Sequence, residues 1–484
     1  MTRVLAVTLG LLAGCTVGPD YRAPRVGVPE RYLEAPGTAA TTDAQLARWW
    51  QGFGDPQLSA LVESALAQNL DIEAAAARIR EARALERATG SNALPQLDAQ
   101  GSVTRQRISE KAIPVPPGSG GQQGAFGLPG SEFTTWRVGF DASWEVDLFG
   151  RNVREREASR ARTGAAIWNR RDSEVSVAAE VASAYFRLRA LQEQVAIAET
   201  ELARQQRFES LVSARARGGL VTGQDVEQQK SEAASAAAAI PALEAQAKAQ
   251  IHALGVLVGS TPDALAAQLA QPAAVPTAPD IPAGLPSELL RRRPDIRAAE
   301  RELAATTADI GVAVADLYPR FSLSAAPALV STALTSLLEW GSRSFSVAAA
   351  IDWPLFDGGR RRATVDARSA RQEQALIAYR KTVLTALQDV EDALSRTDGD
   401  RRQLAELQVA LAAASRAEEI AATRYRGGLV TYSDVLLVQA RRLRLEDQLI
   451  ETKGALARNS AALFKALGGG WPENAQAGAA RLRR

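Results

Sequence analysis

Cysteine, histidine and methionine are almost missing from this 484-residue chain, with Cys15, His252 and Met1 the sole example of each. One thiol forms no internal disulfide, and one imidazole cannot supply a His/Cys metal cluster or a triad chosen among several histidines. Net charge is also small. Lys+Arg number 57 against 55 Asp+Glu, leaving +2, which lacks the basic excess of a nucleic-acid binder. Aromatics make up 5% of residues although 46% are hydrophobic, and alanine, a strong helix former, supplies much of the difference. The length suggests about three domains, yet this composition is unlike three ordinary cores. Gly118 to Gly124 lacks the Lys-Ser/Thr ending of a phosphate loop and reads as a flexible connection. His252, isolated on a helix, reads as packed or solvated. No residue set supports catalysis, so the chain reads as a non-enzyme without a cofactor or metal.

Residues 1–14 form a secretory signal: Arg3 is the charged start, Val4 to Leu12 the apolar stretch, and Leu12-Ala13-Gly14-Cys15 the end. This end is similar to a bacterial lipobox, which implies that Cys15 carries N-acyl and S-diacylglycerol lipid and becomes the mature N-terminus. An ordinary signal with a chance cysteine is the alternative. Thr16 after the cysteine resembles lipoproteins sorted to the outer membrane. Past Cys15 no apolar run approaches the ~20 residues of a membrane helix, so a membrane crossing has to use strands.

The chain is written twice. Arg215-Ala216-Arg217-Gly218-Gly219-Leu220-Val221-Thr222 with Asp225-Val226 recurs as Arg424-Tyr425-Arg426-Gly427-Gly428-Leu429-Val430-Thr431 with Asp434-Val435, a shift of 209. Asp71-Ile72 and Pro95 recur 224 residues on, and Leu148-Phe149 recurs 207 on, which puts about 17 extra residues into the Pro/Gly-rich stretch Pro114 to Gly130 of the first copy. After the signal come an acylated extended segment (15–57), the first copy (58–259), a proline-rich linker (260–286), the second copy (287–468) and a tail (469–484).

Each copy mixes two periodicities. From Trp136 to Leu148, apolar residues alternate with Arg137, Asp141, Ser143, Glu145 and Asp147, which is a strand of about 13 residues. Phe345 to Leu355 alternates in the second copy, and weaker partners at Leu97 to Arg107 and Phe321 to Leu329 complete four strands, within strand pairs at about 94–149 and 318–356. One apolar face, one polar face and Trp136, Trp144, Trp340 and Trp353 as interfacial anchors match a barrel strand between lipid and a wet lumen; a half-buried strand of a soluble sandwich is the alternative. Val177, Val181, Ala184, Leu188, Leu191, Val195, Ala198 and Leu202 step by fours and threes as a heptad seam, and Leu376 to Ala414 repeats it, with Thr397 to Asp400 read as a kink. Long helices are expected at 151–217, roughly 100 Å, and 358–426. Partner helices are expected at 225–258, kinked at Pro241, and 434–467, with shorter helices from Leu58 to Gly90 and Ser287 to Leu317. Arg151, Arg154, Arg156 and Arg360 to Arg362 follow the strands, where they meet either headgroups or solvent.

Four strands leave two open edges, each costly in hydrocarbon. Two chains close an eight-stranded barrel and three a twelve-stranded one, and periodicity does not choose.

Beyond these patterns, the chain resembles the outer membrane efflux channel family, TolC-like proteins, specifically the NodT-type lipoprotein branch of resistance-nodulation-division (RND) tripartite efflux systems. The resemblance spans nearly the whole chain. It is carried by Cys15 to Tyr21, Trp49-Trp50 with Phe53 and Asp55-Pro56, Leu285 to Ile296, both Gly-Leu-Val-Thr turns, and Leu467 to Trp471. It implies a mixed α and β membrane protein: a homotrimer, four strands per chain in a twelve-stranded transmembrane β-barrel, continued by an α-helical coiled-coil periplasmic tunnel. It implies a passive outer membrane export duct for small molecules in a Gram-negative bacterium, working with a periplasmic adaptor and an inner membrane RND pump. Polypeptide secretion and a non-conducting scaffold are the alternatives. It also implies that Gly218, Gly219, Leu220, Gly427, Gly428 and Leu429 meet the adaptor. Asp225 and Asp434 match aspartates lining the tunnel mouth, although Thr-x-x-Asp is also a helix-capping pattern. Tyr425 matches a tyrosine that helps hold the mouth shut, whereas Val430 replaces the family's linking arginine and Leu437 a second acid.

Overall fold

A computed structural model describes residues 16–35, 42–107, 109 and 132–471, so Cys15, the signal, the 114–130 stretch and most of the tail lie outside the described residues. In chain order the elements are α1 (Asp43–Ala47), a 3-10 turn (Trp49–Phe53), α2 (Pro56–Gln68), α3 (Leu70–Ser91), β1 (Gln96–Arg107), β2 (Glu132–Val146), α4 (Arg151–Arg217), α5 (Gly223–Leu257) and α6 (Ala266–Leu269). There follow α7 (Pro286–Arg292), α8 (Pro294–Ala315), β3 (Arg320–Ala325), β4 (Ala328–Ser331), β5 (Arg343–Ser344), β6 (Val347–Asp352), α9 (Arg360–Arg426) and α10 (Tyr432–Ala466). The chain divides into two compact units: Met1–Ala23, Glu81–Thr163 and Glu302–Leu376 form the first, and Pro24–Arg80, Gly164–Arg301 and Ile377–Arg484 the second.

The first unit holds a single antiparallel sheet. β2 pairs along its length with β1 and, on its other side, with β3 at Ala142–Val146 and β4 at Trp136–Gly139. β3 then pairs with β6, and β4 with β5. The expected four strands are therefore six segments in four ladder positions. Between residues 320 and 352 the strands break at Ala326-Pro327, where proline removes a ladder donor, and again at Phe345-Ser346. At the break Gly139 is required, because a Cβ there would lie 2.5 Å from the Pro327 carbonyl oxygen.

The second unit packs the middle of α4 against α9, α10, α2 and the N-terminal segment. Trp49, Trp50, Phe53, Leu58, Tyr185, Phe186, Leu188, Val383 and Phe464 lie in one buried core. Trp49 stacks on Phe464 at 5.2 Å and meets Trp50 and Phe53 edge-on. Asp55 caps α2 by accepting from the Gln57 and Leu58 amides, and its second oxygen accepts from the Tyr185 hydroxyl at 2.6 Å. Burial pushes the Tyr185 phenol up to about 12, with the Asp55 hydrogen bond adding to the rise. Every named member of both heptad seams is buried or half-buried.

Two details differ from the sequence reading. The two shorter helices are each split, at Asn69 and at Arg293. Asn69 is extended, and its side-chain oxygen caps α3 at Asp71 and Ile72, while Pro294 opens α8 with a fixed φ. α9 runs unbroken through Thr397–Asp400, because Thr397 is buried in the seam with its hydroxyl donated to the Ala393 carbonyl. α5 spans Pro241 as one helix, in keeping with the expected partner helix.

Candidate functional site

The sheet register maps apolar onto apolar residues across all four ladder positions. Ala99 faces Phe140, Val103 faces Trp136, Trp144 faces Leu323, and Phe321 faces Ile351. That face is open: Leu97, Val138, Phe140, Leu323, Val347 and Ile351 are all exposed. The opposite face carries Asp98, Arg137, Asp141, Ser143, Glu145 and Asp352, with Asp98 directly across from Asp141. Trp136 and Trp144 share the apolar face eight residues apart, about 26 Å at ~3.3 Å per residue. An outer-membrane barrel has an apolar band of about 25 Å between aromatic girdles. At the base, the Trp144 and Trp353 indole N–H groups donate to the Ala93 and Leu317 carbonyls, which ties both rings to the backbone while leaving the side chains exposed. Among the described residues, β1 on one side and β5 and β6 on the other have no further partner strand. No helix among the described residues is long and apolar enough to cross a membrane.

The chain emerging from Cys15 is held at the foot of β2. The Val17 amide donates to the Phe149 carbonyl at 3.1 Å. The buried Arg154 donates to the Val17 and Gly18 carbonyls and to Asp20 at 2.7 Å. Gly18, at φ 88°, lies against Gly311, where a Cβ would come within 2.5 Å of backbone. Losing Arg154 removes three anchors at once. The Arg154→Met variant is expected to raise the rate of limited proteolysis within residues 16–35 by about tenfold, as for a local opening made ~1.4 kcal/mol easier; an unchanged rate at those bonds refutes the clamp.

The other arginines after the strands are mostly engaged. Arg151 pairs with Asp316 at 3.1 Å, Arg156 donates to the Gly90 carbonyl, and Arg361 donates to the Asp316 carbonyl. Arg156, Arg360 and Arg362 of the six are exposed, so the reading of headgroup or solvent contact applies to those three.

The two helical turns have the same construction. Gly219 and Gly428 adopt φ of 69° and 73°, and Leu220 and Leu429 are exposed. The Thr222 amide and hydroxyl donate to Asp225 Oδ2 at 2.9 and 2.8 Å, and the Asp225 amide donates back to the Thr222 hydroxyl. Thr431 and Asp434 repeat this capping box. These bonds from Thr431 hold the exposed Asp434 carboxyl below the usual carboxylate range, so its contribution to the cap is present at neutral pH and is lost as acidification protonates it. Tyr425 lies buried beside Phe208 and Tyr432, with Arg215 over its ring at 5.0 Å. Val430 packs against this cluster and Leu437 is exposed.

Sequence reasoning missed the layer next to those aromatics. Glu201 on α4 accepts from Gln205, Gln439 and Arg442, and it pairs with Arg204. Its one visible signal was a charged residue on an otherwise apolar helix face.

The profile of a family described as "Outer membrane efflux protein" matches residues 61–260 and 285–469. The pyoverdine export outer membrane protein OpmQ of Pseudomonas aeruginosa is 35% identical over 476 residues, covering 96% of both chains. The cation efflux system protein CusC of Escherichia coli is 31% identical over 466 residues, covering 96% of this chain and 97% of that one. Among solved structures, the outer-membrane channel OprN superposes with a TM-score of 0.87 at 33% identity, covering 95% of this chain and all of the other. The chain belongs to the outer membrane efflux protein family.

Proposed function

We propose that this protein is the outer membrane channel of a tripartite efflux system, a passive export duct for small molecules fed by a periplasmic adaptor and an inner membrane RND pump. Three copies, each giving four ladder positions, close a twelve-stranded barrel, and the long helices form the periplasmic tunnel. Lipid on Cys15 tethers each copy to the membrane, the Gly218–Leu220 and Gly427–Leu429 turns receive the adaptor, and Asp225 and Asp434 line the mouth that Tyr425 helps close. The observation that carries this reading is the sheet: it has an exposed apolar face, a polar reverse, tryptophans at membrane spacing and two unpartnered edges. Such edges are untenable in hydrocarbon unless neighbouring copies pair with them.

The purified chain is expected to run as a trimer and to conduct in planar bilayers; a monomer without conductance overturns the reading. Each capping aspartate uses Oδ2 for its cap, leaving Oδ1 to meet cations. Asparagine keeps the acceptor and removes the charge. In the Asp225→Asn, Asp434→Asn pair, block by multivalent cations is expected to weaken by about tenfold, equivalent to ~1.4 kcal/mol of lost attraction. If block and conductance both stay at wild-type values, the acidic mouth is excluded.

A further inference from the structure

One cation interrupts the apolar face of the sheet. Arg343 on β5 pairs with Leu329, which pairs in turn with Val138, so the guanidinium shares the face of Val138 and Phe140. It sits one pair inward of the Trp136–Ser331 pair. Arg105 and Arg107, farther out on that face, both reach Glu132. Arg343 has no carboxylate partner among the described residues: its Nε donates to the Trp340 carbonyl at 2.8 Å, and its guanidinium lies over the Trp340 ring. A charge on a lipid-facing surface is costly at the midplane and becomes tolerable only toward the interface.

The segment joining β4 to β5 is braced so that this arrangement is fixed. The Ser331 and Ser336 hydroxyls meet at 2.7 Å, the Ser342 hydroxyl donates to the Ser336 carbonyl at 2.6 Å, and Leu337 is buried. Leu334, Leu338 and Trp340 are left exposed. Beside Arg343 the sheet carries a groove of about 820 Å³, lined by the small residues Ala99, Gly101, Gly139 and Ala328 and by Phe140 and Phe345. The room exists because residues on three neighbouring strands carry nothing beyond Cβ, and its volume is that of a small-ligand site.

We infer that Arg343, Trp340 and this groove form a binding site for a phosphate-bearing lipid of the outer leaflet, with the phosphate on the guanidinium and a chain along the groove. The two terminal nitrogens of a guanidinium match a phosphate bidentately, and the bond from Nε to the Trp340 carbonyl orients that fork. A cation beside an apolar groove selects a ligand that is anionic at one end and hydrocarbon along the rest. The choice of leaflet rests on the channel reading above. β2 and β6 run toward the long helices at the opposite end of the sheet, so a periplasmic tunnel puts the β4–β5 connection on the outer side.

The test uses the full-length trimer in detergent micelles, with diphosphoryl lipid A and its phosphate-free counterpart as probes and native mass spectrometry counting the lipid retained. The wild-type trimer is expected to hold lipid A about tenfold more tightly than the phosphate-free lipid, the difference made by one charge-assisted contact. Arg343→Gln keeps a donor for the Trp340 carbonyl but removes the charge, and is expected to lose that preference. Gly101→Leu occupies the groove at a position where an added Cβ meets no atom within 4 Å, and is expected to retain less of both lipids. The inference is overturned if either variant holds lipid A as the wild type does while remaining trimeric, or if the wild type does not distinguish the two lipids. Displacement of lipid A by equimolar inorganic phosphate overturns it as well, because the groove would then contribute nothing. Loss of the trimer in Arg343→Gln would show that a neighbouring copy, not lipid, covers the arginine. A conducting trimer that retains no lipid A refutes the site and leaves the channel standing, whereas a monomer without conductance refutes both.

Discussion

Replacing Phe140 with arginine is expected to abolish assembly of the protein in membranes. Phe140 lies on the exposed apolar face of β2, four residues from both Trp136 and Trp144, so each tryptophan is about 13 Å away along the strand. In the proposed barrel this position is the centre of the apolar band. An arginine at the midplane of a barrel's lipid face costs about 2–4 kcal/mol, and the proposed trimer would place three such charges in one wall. The membrane-inserted fraction, measured by carbonate extraction and heat-modifiable migration, is expected to drop by at least about thirtyfold per charge equivalent, the lower end of that range. The control is one residue away. Asp141 lies on the polar face opposite Asp98, so Asp141→Arg replaces a like-charge pair by an opposite one. That variant is expected to insert normally and to shift ion selectivity toward anions. Equal insertion of both arginine variants would show that the two faces are alike and that neither meets lipid.

The second large effect is expected from Trp49→Ala. Trp49 is 2% exposed and is the meeting point of the second unit, touching Trp50, Phe53 and Phe464. Truncating a buried tryptophan removes its transfer free energy and leaves a cavity, together costing about 3–5 kcal/mol. Trp49→Phe is expected to cost less than about 1.5 kcal/mol. The indole N–H is buried without a partner among the described residues, so removing it offsets part of the lost contact. The guanidinium unfolding midpoint of the detergent-solubilised protein separates the two, and near-equal midpoints would mean that the Trp49–Phe464 stack bears little of the stability.

Local patterns made much of the architecture readable. The long helices were legible to within two residues at each end, because Gly218-Gly219 and Gly427-Gly428 stop them and the Thr222 and Thr431 boxes start their partners, all signals within six residues of one another. β2 was legible because a strict two-residue alternation survives whatever it pairs with. The split at Asn69 was not, since an asparagine inside a helical pattern becomes a cap only when its side chain also finds a distant acceptor, here the Leu257 carbonyl.

The sequence by itself determined the alternation of strand faces, the heptad seams and the Thr222 and Thr431 caps, because each depends on neighbours a few residues away. Tertiary structure alone decided that Arg154 clamps the segment leaving Cys15 and that Arg442 meets Glu201 across 241 residues. Burying a charge is favourable only beside its counter-charge, and which residues become that counter-charge depends on how separate helices pack, which no local periodicity encodes.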